Sequence, residues 1–486
     1  MTRRPILPAS PLLAAPHLTA TFVTAMLLTG CAAGPDFHAP AAPTQTAYDQ
    51  HGREAPGDNQ RWIEGAPQDG WWRAYHAPAL DALIDAALAS NADLAAAQAT
   101  LRAARENLAA TRGILLPTVD AGAGTSRSKS SQYLSPVLNS TQFTYGLQTA
   151  QVNVGYSLDL FGLNRRTVEQ ARAQAEAQAC RTQAARITLI NTVITTALLD
   201  AQLRAQIAAQ DRMIAAQRQT LAIIRHQQDM GAVAGADVAA ADAALAASEA
   251  ALPPLHRAEA QTRDLIATLI GRTAADPLPP LPDLDAITLP ADLPLGLPSQ
   301  LVRQRPDVRA AEADLHAASA AIGIAAASRL PQLTLSASAG GNSAGWSSLL
   351  SAANSFWSLG AGITQPIFAG GALLHRQREA RAQYAAADAQ YRSTVLGAFQ
   401  NVADTLAALR TDAEAEAAQT RARNAAAQSL AIAQRQYQSG GAPYAAVLAA
   451  QTQFDTAEQA LAQARAARLT DTAALFEALG GGWSGA

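Results

Sequence analysis

The sequence predicts a mainly helical chain of two tandem repeats, each with two short strands and one long helical hairpin. The hairpins, residues 163–271 and 372–480, are Ala/Gln/Arg-rich runs that glycine interrupts once. No proline or glycine occurs in 167–230, and a helix of about 64 residues would be about 95 Å long. The hairpin recurs after 209 residues, as in Gly231 and Gly440. A repeat over the whole chain indicates one elongated body.

The composition argues against several classes of function. The 486 residues carry a net charge of −3, with 15% charged and 5% aromatic residues. This near balance of charge gives no reason to expect a nucleic-acid partner, and abundant alanine favours closely packed helices. The eight histidines show no metal-ligand spacing, and no catalytic or phosphate-binding motif occurs. We therefore expect no enzyme, no catalytic residue, no metal and no cofactor apart from a covalent lipid.

The N-terminus predicts export and lipidation. Residues 1–30 have basic residues before a short apolar run, as in a signal peptide, and end in a segment that resembles the lipobox of bacterial lipoproteins. Cys31 is the predicted lipid-attachment site, although an ordinary signal peptide with an accidental cysteine would look similar. Ala32, in place of aspartate, favours sorting to the outer membrane by the same resemblance. Cys180 lies within a helix and is interpreted as a packed thiol, without a disulfide.

The first repeat begins with a predicted helix over 78–111, which Asn91 could kink. Two segments with alternating apolar residues, 117–126 and 151–160, predict strands, and a Ser/Thr/Asn-rich loop joins them. About ten residues is the length with which a tilted strand crosses a bilayer, and Phe143 and Tyr145 would suit its aromatic girdle. A soluble hairpin with one buried face would alternate in the same way.

The second repeat follows with the same order of elements. Its predicted strands are 331–341 and 357–367, and Pro331 lies 214 residues after Pro117. The predicted divisions of the chain are the signal peptide 1–30, a lipidated linker 31–70, repeat one 71–275, a Pro-rich linker 276–298, repeat two 299–480 and a tail 481–486.

Helix lengths predict how these elements assemble. In each repeat the two shorter helices together match the long one, so that end to end they would span the same ~100 Å. This predicts a tube wall of even height, with the strands at one end and the glycine turns at the other. No stretch after the signal peptide has 18 consecutive apolar residues, so we expect no transmembrane helix, and any membrane span should consist of strands. Four strands cannot close a membrane barrel, and such a chain must therefore oligomerise.

Several segments together resemble the outer-membrane factor (TolC-like) family, specifically its lipoprotein branch (OprM/NodT type). These segments are Gly30–Phe37, Trp71-Trp72, Leu80–Ile84, Arg305–Glu312, Ile322-Gly323, Leu330-Pro331 and Gln365–Gly371. The resemblance implies a homotrimer in the outer membrane of a Gram-negative bacterium, with a twelve-stranded β-barrel continued by a twelve-helix α-barrel. It also implies a periplasmic adaptor (membrane fusion protein) and an RND-type inner-membrane transporter as partners, and the export of small toxic compounds or drugs.

The resemblance also assigns candidate sites at the two turns. Adaptor contacts are expected at Gly231, Ala232, Gly440 and Gly441, although every helical hairpin needs a tight turn. The gate candidates are Asp237, Tyr437, Tyr444 and Ala449. Asp237 also suits a helix N-terminus, and either tyrosine could be a core residue. Ala449 stands where the family often has a pore-facing aspartate, so we expect a constriction there without an acidic ring.

Two alternatives to an efflux duct remain at this point. One is the outer-membrane duct of a type I protein secretion system. The other is a periplasmic adaptor or structural protein with helical hairpins, although such proteins generally have one hairpin and lack four strands of this length.

Overall fold

A computed structural model describes residues 32–41, 44, 45, 47, 48, 57, 59–129 and 144–483. They divide into two compact units. One comprises the described part of Met1–Ala39 with Ala103–Glu176 and Ala313–Ala389, and the other comprises the described parts of Pro40–Arg102, Ala177–Glu312 and Gln390–Ala486.

Helices make up most of the described chain. The strands are β1 (Arg61–Ile63), β2 (Thr118–Lys129), β3 (Thr144–Leu158), β4 (Asp292–Pro294), β5 (Gln332–Ser343) and β6 (Ser355–Thr364). The helices are α1 (Pro78–Ser90), α2 (Ala92–Arg112), α3 (Leu163–Asp229), α4 (Gly235–Ala250), α5 (Leu252–Leu269), α6 (Pro298–Gln304), α7 (Pro306–Ala327), α8 (Ala372–Gln438) and α9 (Tyr444–Ala478). The two long helices, α3 and α8, have 67 residues each.

The first unit contains an antiparallel sheet in the order β2-β3-β5-β6. Its register places apolar residues opposite one another on all four strands, because residues directly paired across strands lie on the same face. One such row is Ala121, Val152, Ala339 and Trp357, and the adjacent row on the other face is polar: Asp120, Asn153, Ser338 and Ser358. The apolar face is solvent-exposed, as Trp357 and Leu359 at 76% each illustrate.

The strands are longer at one end than the apolar alternation predicted. β3 begins at Thr144 rather than at 151, and β2 continues to Lys129, which is paired with Thr144. Backbone hydrogen bonds continue the β2–β3 pairing through a stretch that contains Ser, Thr and Gln and in which apolar and polar residues do not clearly alternate. Residues at both ends of the predicted loop therefore belong to strands, and the rest of that loop, including Phe143, lies outside the described residues. β5 and β6 differ from the prediction by one to three residues at their ends, and β6 stops before Pro366, which has no backbone N–H.

The predicted helix 78–111 is two helices, and Asn91 separates them. Asn91 is extended (ψ 126°), its Oδ1 accepts the Leu94 N–H at 2.9 Å, and its Nδ2 donates to the Leu269 carbonyl at 3.0 Å. A second break, between α4 and α5, was not predicted although Pro253 indicates it. Proline cannot donate the helical hydrogen bond and is tolerated only in the first turn of a new helix.

The second unit has an aromatic core around Trp71. The Trp71 ring stacks on Phe476 at a centroid distance of 4.6 Å, and the hydroxyl of Tyr75, which is 0% exposed, donates to the Leu469 carbonyl at 2.9 Å. The two predicted linkers meet in this unit, because β1 and β4 pair in parallel and the Arg61 guanidinium contacts Asp292 at 2.6 Å.

One described helix, Leu163–Asp229, is long and apolar enough to cross a membrane by length and composition, and half of its most apolar 18-residue window is buried. The expectation of no transmembrane helix rested on the absence of 18 consecutive apolar residues, whereas this helix qualifies by its average hydropathy. A helix packed in a protein core passes the same test.

Candidate functional site at the hairpin turns

The two glycine turns have the same geometry. Gly231 and Gly440 have φ values of 74° and 75°, a region that glycine occupies without strain. At the first turn the N–H of Ala232 donates to the Gln227 carbonyl and that of Gly231 to the Gln228 carbonyl, both at 2.8 Å. The second turn repeats this pattern, which is the Schellman motif that ends many helices. Among the described residues, no atom lies within 4 Å of a Cβ built on either glycine, so both turns present open backbone.

Asp237 caps the helix that follows the first turn. Its Oδ2 accepts the N–H of Ala234 at 3.2 Å, and its own N–H donates to the Ala234 carbonyl at 3.0 Å. The side chain is exposed and lies within the first turn of α4, where its charge interacts favourably with the helix dipole. The residue at the same position of the second turn is Ala446, so α9 lacks an equivalent capping carboxylate.

Tyr437 and Tyr444 are half-buried and pack against each other. Their rings are 5.6 Å apart and nearly perpendicular, and the Tyr437 hydroxyl donates to Gln227 Oε1 at 2.8 Å. Tyr444 touches both apolar clusters at this end, around Ile224 of α3 and around Val447 of α9. Burial raises the pKa of the Tyr444 phenol above its ordinary value. Both tyrosines therefore connect the two hairpins, whereas the sequence indicated either gate residues or core residues at these positions.

Ala449 lies on the other side of α9. Its neighbours Val447 and Ala450 are buried in the cluster around Tyr444, whereas Ala449 is exposed. A side chain at this position points away from the chain's own packing. Residue 449 is an alanine and not a carboxylate, and the structure places it on the exposed face of α9.

Sequence reasoning missed three carboxylates of the second unit, two of them buried and one half-buried. Asp200 is 0% exposed and ion-paired with Arg204 at 2.7 Å and Arg263 at 3.2 Å. Burial, followed by the neighbouring Asp471 carboxyl, raises the pKa of Asp412 to about 7.

The third carboxylate, Asp455, is 7% exposed. Both of its oxygens accept from Gln451 Nε2, at 2.9 and 3.0 Å, and burial raises its pKa to about 6. Its spacing of eight residues from Val447, on the buried side of α9, was the available signal.

The remaining predicted sites give less information. Cys31, the predicted lipid-attachment site, lies outside the described residues. Cys180 is partly buried on α3. Within the described ranges, no group of three or more His, Cys, Asp or Glu side chains is placed to hold a metal ion.

Two related helical hairpins, equivalent turns and a sheet with one exposed apolar face define an outer-membrane channel protein. The family model described as outer membrane efflux protein matches residues 83–272 and 297–481. The chain belongs to this family, and the predicted fold class, family, efflux function and outer-membrane location are confirmed. The relatives and solved structures of this family are outer-membrane channel proteins.

Relatives and solved structures agree with this assignment. The antibiotic efflux pump outer membrane protein ArpC of Pseudomonas putida is 32% identical over 462 residues, which cover 95% of this chain and 94% of that protein. The toluene efflux pump outer membrane protein TtgC, also of Pseudomonas putida, matches with the same identity and coverage.

Among structures, the outer-membrane channel OprN aligns with a TM-score of 0.85 and 29% identity over 93% of this chain and 100% of that chain. The open state of the Neisseria gonorrhoeae channel MtrE aligns with a TM-score of 0.82 and 28% identity over 93% and 98%.

Proposed function

We propose that three copies of this chain form the exit duct of a tripartite efflux pump, with no catalytic role of its own. A periplasmic adaptor and an RND-type inner-membrane transporter would supply substrate and energy. The observation that carries this proposal is the sheet, with its continuous exposed apolar face and its two edge strands, β2 and β6. In lipid, an open edge leaves backbone groups unsatisfied at a cost of several kcal/mol. The edges therefore pair with other copies, and three copies supply twelve strands.

A matched pair of substitutions on β6 tests the membrane role of the sheet. Leu359 is on the apolar face and Ser358 on the polar face, at adjacent positions of one strand. Leu359→Lys should cost about 2–4 kcal/mol per copy if it lies near the bilayer midplane, whereas Ser358→Lys should be tolerated. We expect heat-modifiable trimers in outer-membrane fractions for the wild type and Ser358→Lys only. Equal trimer yields from both variants would contradict a bilayer-facing sheet.

The cargo we propose is small organic toxicants, including drugs. The relatives named above are described as antibiotic and toluene efflux proteins. Both descriptions name small apolar or amphipathic molecules as the exported compounds. The test is a deletion strain screened against antibiotics, organic solvents, dyes and metal ions, with complementation by the wild-type chain. Increased sensitivity to solvents or drugs supports the proposal. A strain that loses only the secretion of a protein would instead support the type I secretion alternative.

We propose that Cys31 carries the lipid anchor, because a thiol at this position ends a lipobox-like segment. Several acyl chains at about 0.8 kcal/mol per buried CH₂ would hold the N-terminus firmly at the membrane. Metabolic labelling with an alkyne fatty acid should mark the wild type and not Cys31→Ser. Labelling of both proteins to the same extent would exclude this site.

We propose that the adaptor docks on the open turns at Gly231 and Gly440. Supporting this, the backbone there has no neighbouring atom from the described chain within 4 Å of a Cβ position. Photo-crosslinking from Ala232 and Gly441 should capture the adaptor in intact cells, whereas a probe at Gly397, on the long helix α8, serves as the control. Equal capture from all three positions would contradict docking at the turns.

The gate we propose has no acidic ring at Ala449. Ala449→Asp should introduce cation-dependent block in planar-bilayer recordings, because three carboxylates would then face one another across a narrow opening. Unchanged conductance and block would mean that this side chain does not face the pore.

A further inference from the structure

The residues just after Cys31 bind to a defined site in the first unit, which we call the seat. It is formed by Phe161, Gly162, Arg166, His316 and Gly323. The N–H of Ala33 donates to the Phe161 carbonyl at 2.8 Å, and the Arg166 Nε donates to the Ala33 carbonyl at 3.4 Å. Ala32 lies against Gly162, at the connection between β3 and α3, so closely that a Cβ on this glycine would be 2.8 Å from that of Ala32. We call Ala33–Phe37 the strap.

Arg166 is the centre of this seat. Its side chain is only 6% exposed, and its two terminal nitrogens contact Asp36 Oδ1 and Glu169 Oε2, each at 2.7 Å. Glu169 is also 2.9 Å from His316 Nε2, and the His316 ring stacks on Phe37 at a centroid distance of 4.4 Å. Burial alone would raise the pKa of Glu169, but the hydrogen bonds from Arg166 and His316 outweigh it and leave this pKa below its ordinary value.

Two glycines allow the strap to approach α7. Gly34 has φ 92°, and a Cβ there would lie 2.4 Å from the Gly323 Cα. A Cβ on Gly323 would in turn lie 2.9 Å from the Ala33 carbonyl oxygen and from the Arg166 side chain. Any larger residue at Gly34 would therefore displace the strap from its seat.

The contacts of the strap orient it more than they stabilise the unit. Gly34, Pro35 and Asp36 are exposed, so the strap buries little apolar surface and cannot serve mainly as core. The Asp36 side chain is 81% exposed, and an ion pair with so exposed a partner contributes little stability on its own. What these contacts do achieve is a single placement of the chain, through directional hydrogen bonds on several backbone and side-chain groups.

We propose that the strap positions the lipid-bearing N-terminus at the β3–α3 connection, with Arg166 as its positioning residue. This rests on the proposed lipidation of Cys31 and on the proposed bilayer crossing of β3. The connection follows directly after β3 ends at Leu158, so a membrane-spanning β3 would place it at the bilayer surface. Cys31 directly precedes Ala32 in the sequence, so a lipid on Cys31 would be attached next to the residues that the strap holds. The lipid would then enter the bilayer beside β3 while the sheet assembles. Without the strap, the lipid would be joined to the sheet only by a flexible linker.

A double-mutant cycle between the strap and the lipid tests this proposal. Asp36→Asn and Arg166→Ala are each made in the lipoprotein and in a Cys31→Ser form that is exported by a signal peptide cleaved without lipidation. Arg172→Ala is the matched control, since Arg172 is an exposed arginine of the same helix, paired with Glu176. The readouts are the yield of heat-modifiable trimers in outer-membrane fractions and amide exchange of the peptide that contains Ala33.

We expect Arg166→Ala to lower trimer yield about threefold or more in the lipoprotein and to have almost no further effect in the non-lipidated form, a coupling that only interacting groups show. Amide exchange at Ala33 should rise about tenfold in this variant. Asp36→Asn should act in the same direction, and because its side chain is exposed, the substitution leaves the packing of the unit intact.

Equal losses in both forms would overturn the proposal, because they would assign Arg166 a purely structural role. Unchanged exchange at Ala33 in both variants would overturn the assigned seat. A wild type that takes up no fatty-acid label would instead refute the lipidation on which the proposal rests, and trimers that form with Leu359→Lys would refute the bilayer crossing.

Discussion

Replacement of Asp455 by asparagine should stabilise the protein at neutral pH. The wild-type carboxyl is 7% exposed, and burial raises its pKa from the ordinary 3.8 to about 6. The like charge of Glu458 adds to this rise, and the hydrogen bonds from Gln451 and the charge of Arg212 offset it only in part. The folded chain therefore holds a proton on Asp455 more tightly than the unfolded chain does.

The sign of the effect follows from this difference in proton binding. The stability that protonated Asp455 contributes is fully present below pH 3.8 and is lost as the pH rises through about 6. Raising the pKa from 3.8 to about 6 corresponds to about 3 kcal/mol, an upper value for one copy. Asparagine does not titrate and can still accept from Gln451, so Asp455→Asn should match the wild type in acid and exceed it by up to that amount at neutral pH.

The assay is denaturant unfolding of the detergent-solubilised protein, followed by helix circular dichroism at pH values below, within and above this window. Asp211→Asn is the control, because Asp211 is an exposed aspartate on α3. It should run parallel to the wild type at every pH. If Asp455→Asn also ran parallel, or were less stable at neutral pH, the carboxylate would have to be stabilised by contacts other than those named above.

Further substitutions test the turns and the helix break. Gly440→Ala should destabilise by about 1–2 kcal/mol because φ is 75°, whereas Gly397→Ala, in mid-helix and with open space, should stabilise by about 0.5–1 kcal/mol; unfolding curves of the same sign would contradict this. Tyr437→Phe removes the hydrogen bond to Gln227 and should cost about 0.5–1.5 kcal/mol, with faster amide exchange confined to the hairpin tips. Asn91→Ala loses the cap on Leu94 and should cost about 1–2 kcal/mol in the same unfolding assay, and no loss would mean that the break does not depend on this side chain.

Local signals in the sequence predicted most of the secondary structure. The absence of proline and glycine predicted the long helices. Glycines at equivalent positions predicted the two turns, which have the same geometry. Asn91 was recognised as a kink because its effect is local. The early start of β3 at Thr144 could not be recognised, since Thr144–Ala150 carries no clear alternation and is held by pairing with β2. The break between α4 and α5 was not predicted, although Pro253 is a local signal for it.

Contacts between distant residues were beyond the sequence. Arg166 and Asp36 are 130 positions apart, and Tyr437 and Gln227 are 210 apart. Neither pair has a periodicity or a motif spacing that would connect its members before the fold brings them together. The segment with Gly34 and Asp36 supported only the family resemblance at the level of sequence. Its contacts with Arg166 and Gly323 show that it holds the chain in one place.

The distribution of carboxylates distinguishes the two turns. Asp237 at the first turn is exposed and accepts a backbone N–H, whereas the second turn has alanine at the equivalent position, Ala446, and at Ala449. Three acidic groups of the second hairpin have raised pKa values instead: Asp455, which is buried, and Asp412 and Glu477, which are half-buried. As the pH falls through about 7 and about 6, protonation of Asp412 and Asp455 should therefore stabilise the second hairpin. A pore-facing ring would respond instead through its ion binding, and salt would screen that response far more strongly than it screens buried groups.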